Sequence, residues 1–361
     1  MVKVYMNIPF VTGWLQSFGM VGDIILLVIG IAALFLGGEL TVRYAVRLAE
    51  AFKVPTLIVG LTIVAIGSSL PELAVGIEGV RYGNGPIVMG NIVGTNIVNI
   101  LLILGLSALI RAIPVPEGVV RFDLPIMIGT GALLMALSAL GHQLSRWNGL
   151  ILLLVGIIYL IAVVLTARRR PTPIEVDHDL PPIGMADEAH GMRMSHPDEV
   201  AAAPRPTAKH ILLTLLMLAV GLLIIMIGAN WMLDGAIGVA ENLGVSQTMI
   251  GLTIVAIGTS APELVTMIVA TIRDERGLAF GTLIGSSIIN VTLILGTSLL
   301  FAAQPIPVAP SFMRIDIPIM ILVSLACVPV FLTGKRMSRL EGGLFVAAYL
   351  GYLAYTISAA F

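Results

Sequence analysis

The chain has 361 residues, of which 58% are hydrophobic and only 11% are charged, and its net charge is −1. A soluble globular domain carries about 25% charged residues, so this composition predicts a polytopic membrane protein whose surroundings are the lipid bilayer. The charge balance offers no basic surface for nucleic acid, and a single cysteine, Cys327, excludes an internal disulfide.

Ten stretches of the chain are long and apolar enough to span a membrane, which takes about 20 mostly apolar residues. The first group of five comprises 23–42, 55–80, 86–110, 123–141 and 147–167. The second group comprises 211–235, 247–271, 278–301, 315–334 and 341–359. We therefore expect an all-α polytopic fold of ten transmembrane helices, divided into an N-terminal tail (1–22), a first five-helix repeat (23–167), a linker (168–208) and a second five-helix repeat (209–361).

The sequence between the two groups has a different composition. It begins with "RRRPTP", is rich in proline, and mixes acidic residues, histidine and methionine without periodicity. Such a segment cannot bury enough apolar surface to fold alone. Residues 168–208 are therefore predicted to form a flexible linker.

The two groups are copies of each other. The stretch "GLTIVAIG" occurs at 60–67 and again, unchanged, at 251–258. Further on, "GNIVGTNIVNILLILG" at 90–105 aligns with "GTLIGSSIINVTLILG" at 281–296. Self-similarity over this length indicates an internal duplication.

The odd number of segments in each copy determines its orientation. A five-helix unit ends on the opposite side of the membrane from its start, so the second copy is inverted, as in many secondary transporters. Sixteen of the 20 lysines and arginines fall on the side that holds the linker. The positive-inside rule then predicts a cell (inner) membrane protein with a cytoplasmic linker and two extracytoplasmic termini. The four basic residues on the other side are Lys3, Arg81, Arg146 and Arg314.

A proline stands next to a glutamate inside the second segment and again inside the seventh. The stretches read "AIGSSLPEL" at 65–73 and "AIGTSAPEL" at 256–264. Pro71 and Pro262 lack an N–H and clash with a preceding carbonyl, so each is expected to break its helix and free backbone oxygens. The carbonyls concerned lie around Ala65, Gly67 and Ser68 in the first repeat and around Ala256, Gly258 and Thr259 in the second.

Glu72 and Glu263 follow these prolines. A charge at the bilayer centre costs about 2.5–3.5 kcal/mol on insertion scales, and freed carbonyls find no water there. A cation would satisfy the carboxylates and the carbonyls together. We therefore interpret the duplicated Pro-Glu pairs as ion-binding and not as structural protonated carboxyls.

Further oxygen donors stand at helical spacing. Ser69 precedes Glu72 by three residues and shares its face if the helix resumes. Two other pairs lie four residues apart in the third and eighth segments, Thr95 with Asn99 and Ser286 with Asn290. All offer oxygen, while the histidines lie in the linker or near segment ends, so the set suits Ca²⁺, Na⁺ or Mg²⁺ and not zinc or copper.

These paired stretches resemble the two alpha-repeats of the cation/calcium exchanger superfamily, and they are most similar to those of prokaryotic sodium/calcium exchangers. "GSSLPEL" with "GNIVGTNIVN" forms one repeat motif and "GTSAPEL" with "GTLIGSSIIN" forms the other. The resemblance extends from about residue 23 to residue 360. It implies a ten-helix antiporter, not an enzyme, that moves Ca²⁺ one way against Na⁺ without a cofactor.

The resemblance also implies a ligand set, in which Glu72 and Glu263 hold Ca²⁺ and compete for Na⁺. The other implied ligands are hydroxyls, amides or backbone carbonyls of Ser68, Ser69, Thr259, Ser260, Ala65, Ala256, Thr95, Asn99, Ser286 and Asn290. Many sodium/calcium exchangers carry aspartate where this chain has Asn290. The central site here would therefore contain two carboxylates and not three.

Three other functions are alternatives to sodium/calcium exchange. A proton-coupled exchanger of Ca²⁺ or another divalent cation would use the same ligands without Na⁺. A passive cation channel would conduct without a counter-ion. An intramembrane protease would need a Ser–His pair or two facing aspartates, and no such pair stands in the apolar segments. The first and sixth segments are candidates for the helices that move during transport. The sequence specifies no oligomeric state.

Overall fold

The computed structural model describes residues 15, 17–167, 207–245, 250, 254, 256–332 and 335–360. Most of the predicted tail (1–22) and nearly all of the predicted linker (168–208) therefore lie outside the described residues. The predictions made for those two segments concern parts of the chain that the structure does not describe.

The described chain is almost entirely helical. The first repeat contains α1 (Met20–Phe52), α2 (Thr56–Ser68), α3 (Leu70–Arg81), α4 (Ile87–Ile110), α5 (Val119–Ala139) and α6 (Arg146–Ala167). The second repeat contains α7 (Ala208–Asn242), the single turn α8 (Ala256–Gly258), α9 (Ala261–Ile272), α10 (Arg276–Leu300), α11 (Phe312–Leu332) and α12 (Arg339–Ala360). Each element of the first repeat thus has its counterpart six places later.

This architecture confirms the predicted all-α polytopic membrane fold. Within the described ranges, eight helices are long and apolar enough to cross a bilayer, and the bent pair α2–α3 makes a ninth candidate span. The equivalent pair α8–α9 is preceded by residues that the structure does not describe. The count of ten spans therefore stays a prediction.

The first helix of each repeat is longer than predicted. α1 has 33 residues and α7 has 35, whereas the apolar pattern predicted 23–42 and 211–235. Both helices continue past the apolar core into polar turns, because residues such as Arg43 and Glu50 favour helix outside the bilayer as well. α1 ends where Lys53 adopts the left-handed conformation, with φ of 54°.

α1 and α7 pack closely against each other along most of their length. Glycine makes this approach possible: a Cβ atom at Gly30 would lie 2.2 Å from the backbone nitrogen of Met232. On the opposite helix, a Cβ atom at Gly221 would lie 2.9 Å from the backbone nitrogen of Thr41. Small residues that let helix backbones touch are a common means of association in membranes.

Two short antiparallel strand pairs join the repeats. β1 (Ile113–Pro114) pairs with β4 (Arg336–Met337), and β2 (Gln143–Leu144) pairs with β3 (Ile306–Pro307). We call the membrane face at β1–β4 face A and the face at β2–β3 face B. The ion pair of Arg111 with Asp274 joins the α4–α5 connection to the α9–α10 connection, so the latter also lies at face A.

The centre of the fold is formed by α4 and α10. Of the residues in their most apolar stretches, 78% in α4 and 94% in α10 are buried inside the protein, whereas the values for α7 and α12 are only 22% and 17%. The equivalent aspartates that begin the apolar part of α5 and α11 each accept a hydrogen bond of 3.0 Å from a tyrosine on the following helix, Tyr159 to Asp123 and Tyr352 to Asp316. Cys327 is buried, in agreement with a packing role.

Candidate functional site

The site begins where α2 breaks. α2 and α3 meet at an angle of 44°, and Ser69 lies at the break with φ of −88° and ψ of 6°. Ser260 takes the same conformation at the equivalent break, with φ of −90° and ψ of 9°. In both repeats the proline stands in the first turn of the following helix, where its missing N–H costs no intrahelical hydrogen bond.

One detail of the predicted break is wrong. The carbonyl of Ala65 was expected to be free, but it accepts a hydrogen bond of 3.2 Å from the backbone N–H of Ser69 and one of 3.4 Å from Ser68 Oγ. The two hydrogen-bond donors, the Ser69 N–H and the Ser68 hydroxyl, come from residues at the break itself. For Ala256 the structure describes the backbone, which lies in α8.

Glu72 and Glu263 occupy the first turns of α3 and α9. Their exposed fractions are 1% and 0%, so neither carboxylate is reached by solvent. The N-terminus of a helix carries a partial positive charge that favours a carboxylate. That effect is smaller than the cost of burying two negative charges, so the pair is suited to a positive ion between the helices.

Four neutral side chains that could offer an oxygen to a cation lie at symmetry-related positions, two in each repeat, as the glutamates do. Ser69, Ser260, Asn99 and Asn290 are at most 1% exposed. Their side-chain polar atoms, like both oxygens of each glutamate, make no hydrogen bond with any described residue. Buried polar atoms normally find a partner because an unmet one costs about 1–3 kcal/mol. Oxygens of this kind fit the coordination of a hard cation.

Packing across the repeats brings these residues together. α3, which carries Glu72, packs against Asn290–Ile294, and α9, which carries Glu263, packs against Val98–Leu104. The hydroxyls of Ser68 and Ser286 lie 3.3 Å apart and form a hydrogen bond between the repeats. Each glutamate is thus placed beside the asparagine-bearing helix of the other repeat.

The remaining predicted ligands lie around this centre. Thr95 is 4% exposed and stands one turn before Asn99 on α4. Thr259 lies in the turn between α8 and α9 and lines a cavity of about 200 Å³ that also contacts Asn230 of α7. Among the described residues, no cluster of three or more His, Cys, Asp or Glu side chains could hold a metal. Cation binding here would depend on two carboxylates completed by neutral oxygens.

The asparagines occupy an unusual type of helix. α4 widens into a π-helix over Val98–Leu104, and α10 does so over Asn290–Ile294. π-turns are rare, and they are frequent at functional sites because the wider turn redirects a side chain. The spacing of Thr95 to Asn99 predicted an ordinary helical face, so sequence reasoning missed this feature.

Sequence reasoning also missed Asn91. Its side-chain amide donates a hydrogen bond of 3.2 Å to the backbone carbonyl of Glu72. The equivalent residue in the second repeat is Thr282, whose hydroxyl has no partner among the described residues. In the second repeat, the carbonyl next to the glutamate is that of Pro262, and it accepts a hydrogen bond of 2.8 Å from Thr266 Oγ1. Asn91 lies within the motif "GNIVGTN", and its place in that duplicated stretch was the sequence feature that could have indicated a role near the site.

A helical membrane protein with a duplicated, buried set of hard oxygen donors belongs to the class of membrane cation transporters. A model of the sodium/calcium exchanger protein family matches residues 23–165 and 213–358. The chain therefore belongs to the sodium/calcium exchanger family, as the paired motifs predicted.

Individual relatives agree with this assignment. The chain is 32% identical over 300 residues to the inner membrane protein YrbG of Escherichia coli (strain K12), which covers 83% of this chain and 86% of the relative. It is 30% identical over 355 residues to the sodium/calcium exchanger MaX1 of Methanosarcina acetivorans, which covers 92% of this chain and 97% of that one. The fold is similar to the solved structure of the sodium-calcium exchanger NCX_Mj soaked with 2.5 mM Na⁺ and 10 mM Sr²⁺, with a TM-score of 0.73, 26% identity, and coverage of 93% of this chain and 99% of that one.

Proposed function

We propose that this protein exchanges Ca²⁺ for Na⁺ across the membrane, with the ions bound between Glu72 and Glu263. The observation that carries the proposal is the symmetric set of buried oxygens that make no hydrogen bond with a described residue. The neutral ligands we propose are Ser68, Ser69, Thr259, Ser260, Thr95, Asn99, Ser286 and Asn290, with the backbone carbonyls of Ala65 and Ala256. The Ala65 carbonyl would use its second lone pair, because its first accepts from the chain.

Charge balance explains why such a site would exchange ions. Two carboxylates neutralise one Ca²⁺, or they accept Na⁺ ions in its place. An empty site would leave two buried like charges close together, which is costly. The empty carrier should therefore change conformation slowly, and one ion must replace another before the site turns to the opposite face.

The α1–α7 pair is the element that we propose to move. The two helices contact each other more extensively than they contact the rest of the fold, so they can shift as one body. Alternating access would follow if this body slides past the fixed helices that hold the site.

Sodium is proposed as the counter-ion because the name of the relative MaX1 describes a sodium/calcium exchanger and because NCX_Mj was soaked with Na⁺ and Sr²⁺. The test is Ca²⁺ uptake into proteoliposomes, first with an imposed Na⁺ gradient and then with an imposed pH gradient in Na⁺-free buffer. We expect uptake with the Na⁺ gradient alone. Uptake with the pH gradient alone would assign the protein to proton-coupled Ca²⁺ exchange, and rapid uptake without either gradient would indicate a channel.

We also propose that face A is cytoplasmic in the cell membrane and that both termini are extracytoplasmic. The support is the distribution of basic residues, since Arg111, Arg276, Lys335 and Arg339 lie in face A connections or at the helix ends that border them. A cysteine introduced at Arg170 should resist an impermeant thiol reagent applied to intact cells. Labelling from outside would reverse the orientation.

A further inference from the structure

Two symmetry-related contacts between the repeats, α1 with α9 and α7 with α3, differ in how tightly they are packed. On face A, α1 packs along α9, and a Cβ atom at Gly38 would lie 2.8 Å from Cγ1 of Val265. The residues at the symmetry-related positions, Ala229 of α7 and Ala74 of α3, both line the cavity of about 200 Å³. Val265 is buried whereas Ala74 is exposed. The α1–α9 contact is therefore closed, whereas a cavity separates α7 from α3 in the symmetry-related contact, which we call the open contact.

An ion pair spans the closed contact. Arg273, at the end of α9, donates two hydrogen bonds to Glu39 of α1, from Nε to Oε2 at 3.0 Å and from Nη2 to Oε1 at 2.5 Å. Glu39 also accepts a bond of 3.3 Å from Arg43. The side chains of Glu39 and Arg273 are 29% and 35% exposed, so water screens this bidentate pair less than a fully exposed one.

The equivalent positions in the open contact carry no such pair. The offset of 191 residues places Asn230 at the position of Glu39 and Tyr82 at the position of Arg273. Asn230 lines the cavity, and Tyr82 is 75% exposed. An amide and a phenol stand at these two positions, so they cannot form an equivalent ion pair.

Inverted symmetry converts this difference into a conformational preference. In a transporter built from inverted repeats, the alternative state gives each repeat the arrangement that the other one has now. The α1–α9 contact would then open as the α7–α3 contact is open here, and Glu39 would separate from Arg273. A bond made in only one of two states shifts the equilibrium towards that state.

We propose that the Glu39–Arg273 pair is a one-sided latch that keeps face A closed in the ion-free carrier and breaks when face A opens. The inference rests on the proposed alternating access. The latch explains why the two repeats can bind ions symmetrically and yet favour one facing state. The ion pair holds the α1–α7 body to α9, which stays fixed.

The test compares thiol labelling at the two equivalent positions. Ala74→Cys and Val265→Cys are each placed in full-length protein carrying Cys327→Ser, reconstituted in nanodiscs so that both faces are accessible. Labelling rates with an impermeant maleimide are measured without Ca²⁺ or Na⁺. In the parent, Ala74→Cys should react faster than Val265→Cys. Glu39→Gln and Arg273→Gln should each reduce the ratio of the two rates by about fivefold, the upper end of what an ion pair of this exposure contributes.

Two further variants make the test decisive. The double variant Glu39→Arg with Arg273→Glu should partly restore the parent ratio, because the pair re-forms with reversed charges while Arg43 then faces an arginine. Glu117→Gln is the matched control, since Glu117 likewise pairs with two cations at face A, Lys335 and Arg121, and neither of these belongs to α1 or α9. Its ratio should equal that of the parent.

An unchanged ratio in both Glu39→Gln and Arg273→Gln would overturn the latch, and so would an equal change in Glu117→Gln. Ca²⁺ flux is measured on the same preparations. Absence of ion-driven Ca²⁺ flux in the parent would overturn the proposed exchange and not the latch, since labelling reports the conformation without transport. Normal flux with unchanged labelling would overturn the latch and leave exchange intact.

Discussion

The two repeats are alike at the centre of the membrane and different at its faces. At the centre, Glu72 and Glu263 take the same place in their helices and are equally buried. At the faces, Glu39 is paired with Arg273, whereas its counterpart Asn230 lines a cavity. Under the proposed exchange, one set of ligands would serve both sides of the membrane, while the preference between the two facing states would depend on residues outside the site.

The strongest test of central symmetry is the removal of either carboxylate. Glu72→Gln and Glu263→Gln should each reduce Ca²⁺ exchange by about a hundredfold or more, because a dehydrated divalent ion then keeps only one formal countercharge. The two losses should be similar. Na⁺-driven Ca²⁺ uptake into proteoliposomes measures the effect.

Glu78→Gln is the control for this substitution, since Glu78 lies later on the same helix and lines a separate cavity with Arg81 and Tyr82. It should transport normally. If both glutamine variants at the centre transport Ca²⁺ at the parent rate, the proposed site is wrong, and a loss in only one of them would refute the symmetry.

A smaller effect is expected from adding a carboxylate. Asn99→Asp and Asn290→Asp should each tighten Ca²⁺ binding by about tenfold, which corresponds to ~1.4 kcal/mol of extra attraction. Each also adds a titrating group, so binding should weaken as pH falls. Calorimetric titration with Ca²⁺ at two pH values measures both effects.

Asn84→Asp, at an exposed position just before the fourth helix, should leave Ca²⁺ binding unchanged. Equal responses of the two central variants support a symmetric site. No change in affinity or pH dependence in either variant would place the asparagines outside it.

Substitutions at the equivalent residues Asn91 and Thr282, which lie beside the site, should lower stability by different amounts. Asn91→Ala removes the hydrogen bond to the Glu72 carbonyl and should lower the stability of the ion-free protein by about 1 kcal/mol. Thr282→Ala removes a buried hydroxyl that makes no hydrogen bond with a described residue, so it should cost less. Thermal unfolding in detergent, with and without Ca²⁺, provides the comparison, and equal losses would contradict it.

Acid should weaken the face A connections slightly. A hydrogen bond from Lys335 is the main cause that lowers the pKa of Glu117. A lowered folded-state pKa stabilises the protein above the unfolded value of about 4.3, and this contribution is lost as pH falls through the folded value. Glu117→Gln should therefore show a slightly smaller fall in thermal stability below pH ~4 than the parent. Lys335→Gln should behave in the same way, and a parent-like acid profile in both would refute the linkage.

The smallest effect is expected from the linker. Replacing residues 171–204 by a short flexible tether should leave Ca²⁺ transport largely intact, because their composition cannot form a packed core. The measurement is Na⁺-driven Ca²⁺ uptake by the inserted, stable deletion variant. Loss of transport would show that the linker folds or regulates.

Much of the fold could be predicted because its causes are local. Apolar stretches must form helices in a bilayer, since backbone groups find no other partners there, and an unchanged "GLTIVAIG" 191 residues later reveals the duplication. The helix breaks at Pro71 and Pro262 follow from the missing N–H. The free carbonyl at Ala65 was a wrong prediction, because the chain near a break can re-form a hydrogen bond that no sequence rule excludes.

The sequence by itself determined the membrane class, the inverted repeat and the identity of the oxygen donors, because these depend on composition, periodicity and residue chemistry. Only the tertiary structure decided which donors lie together, since α3 and α9 each pack against the central helix of the other repeat. It also decided that Glu39 meets Arg273 across 234 positions while Asn230 faces a cavity. That outcome depends on how α1 and α7 pack against the other helices, and such packing is a property of the whole molecule and not of any segment.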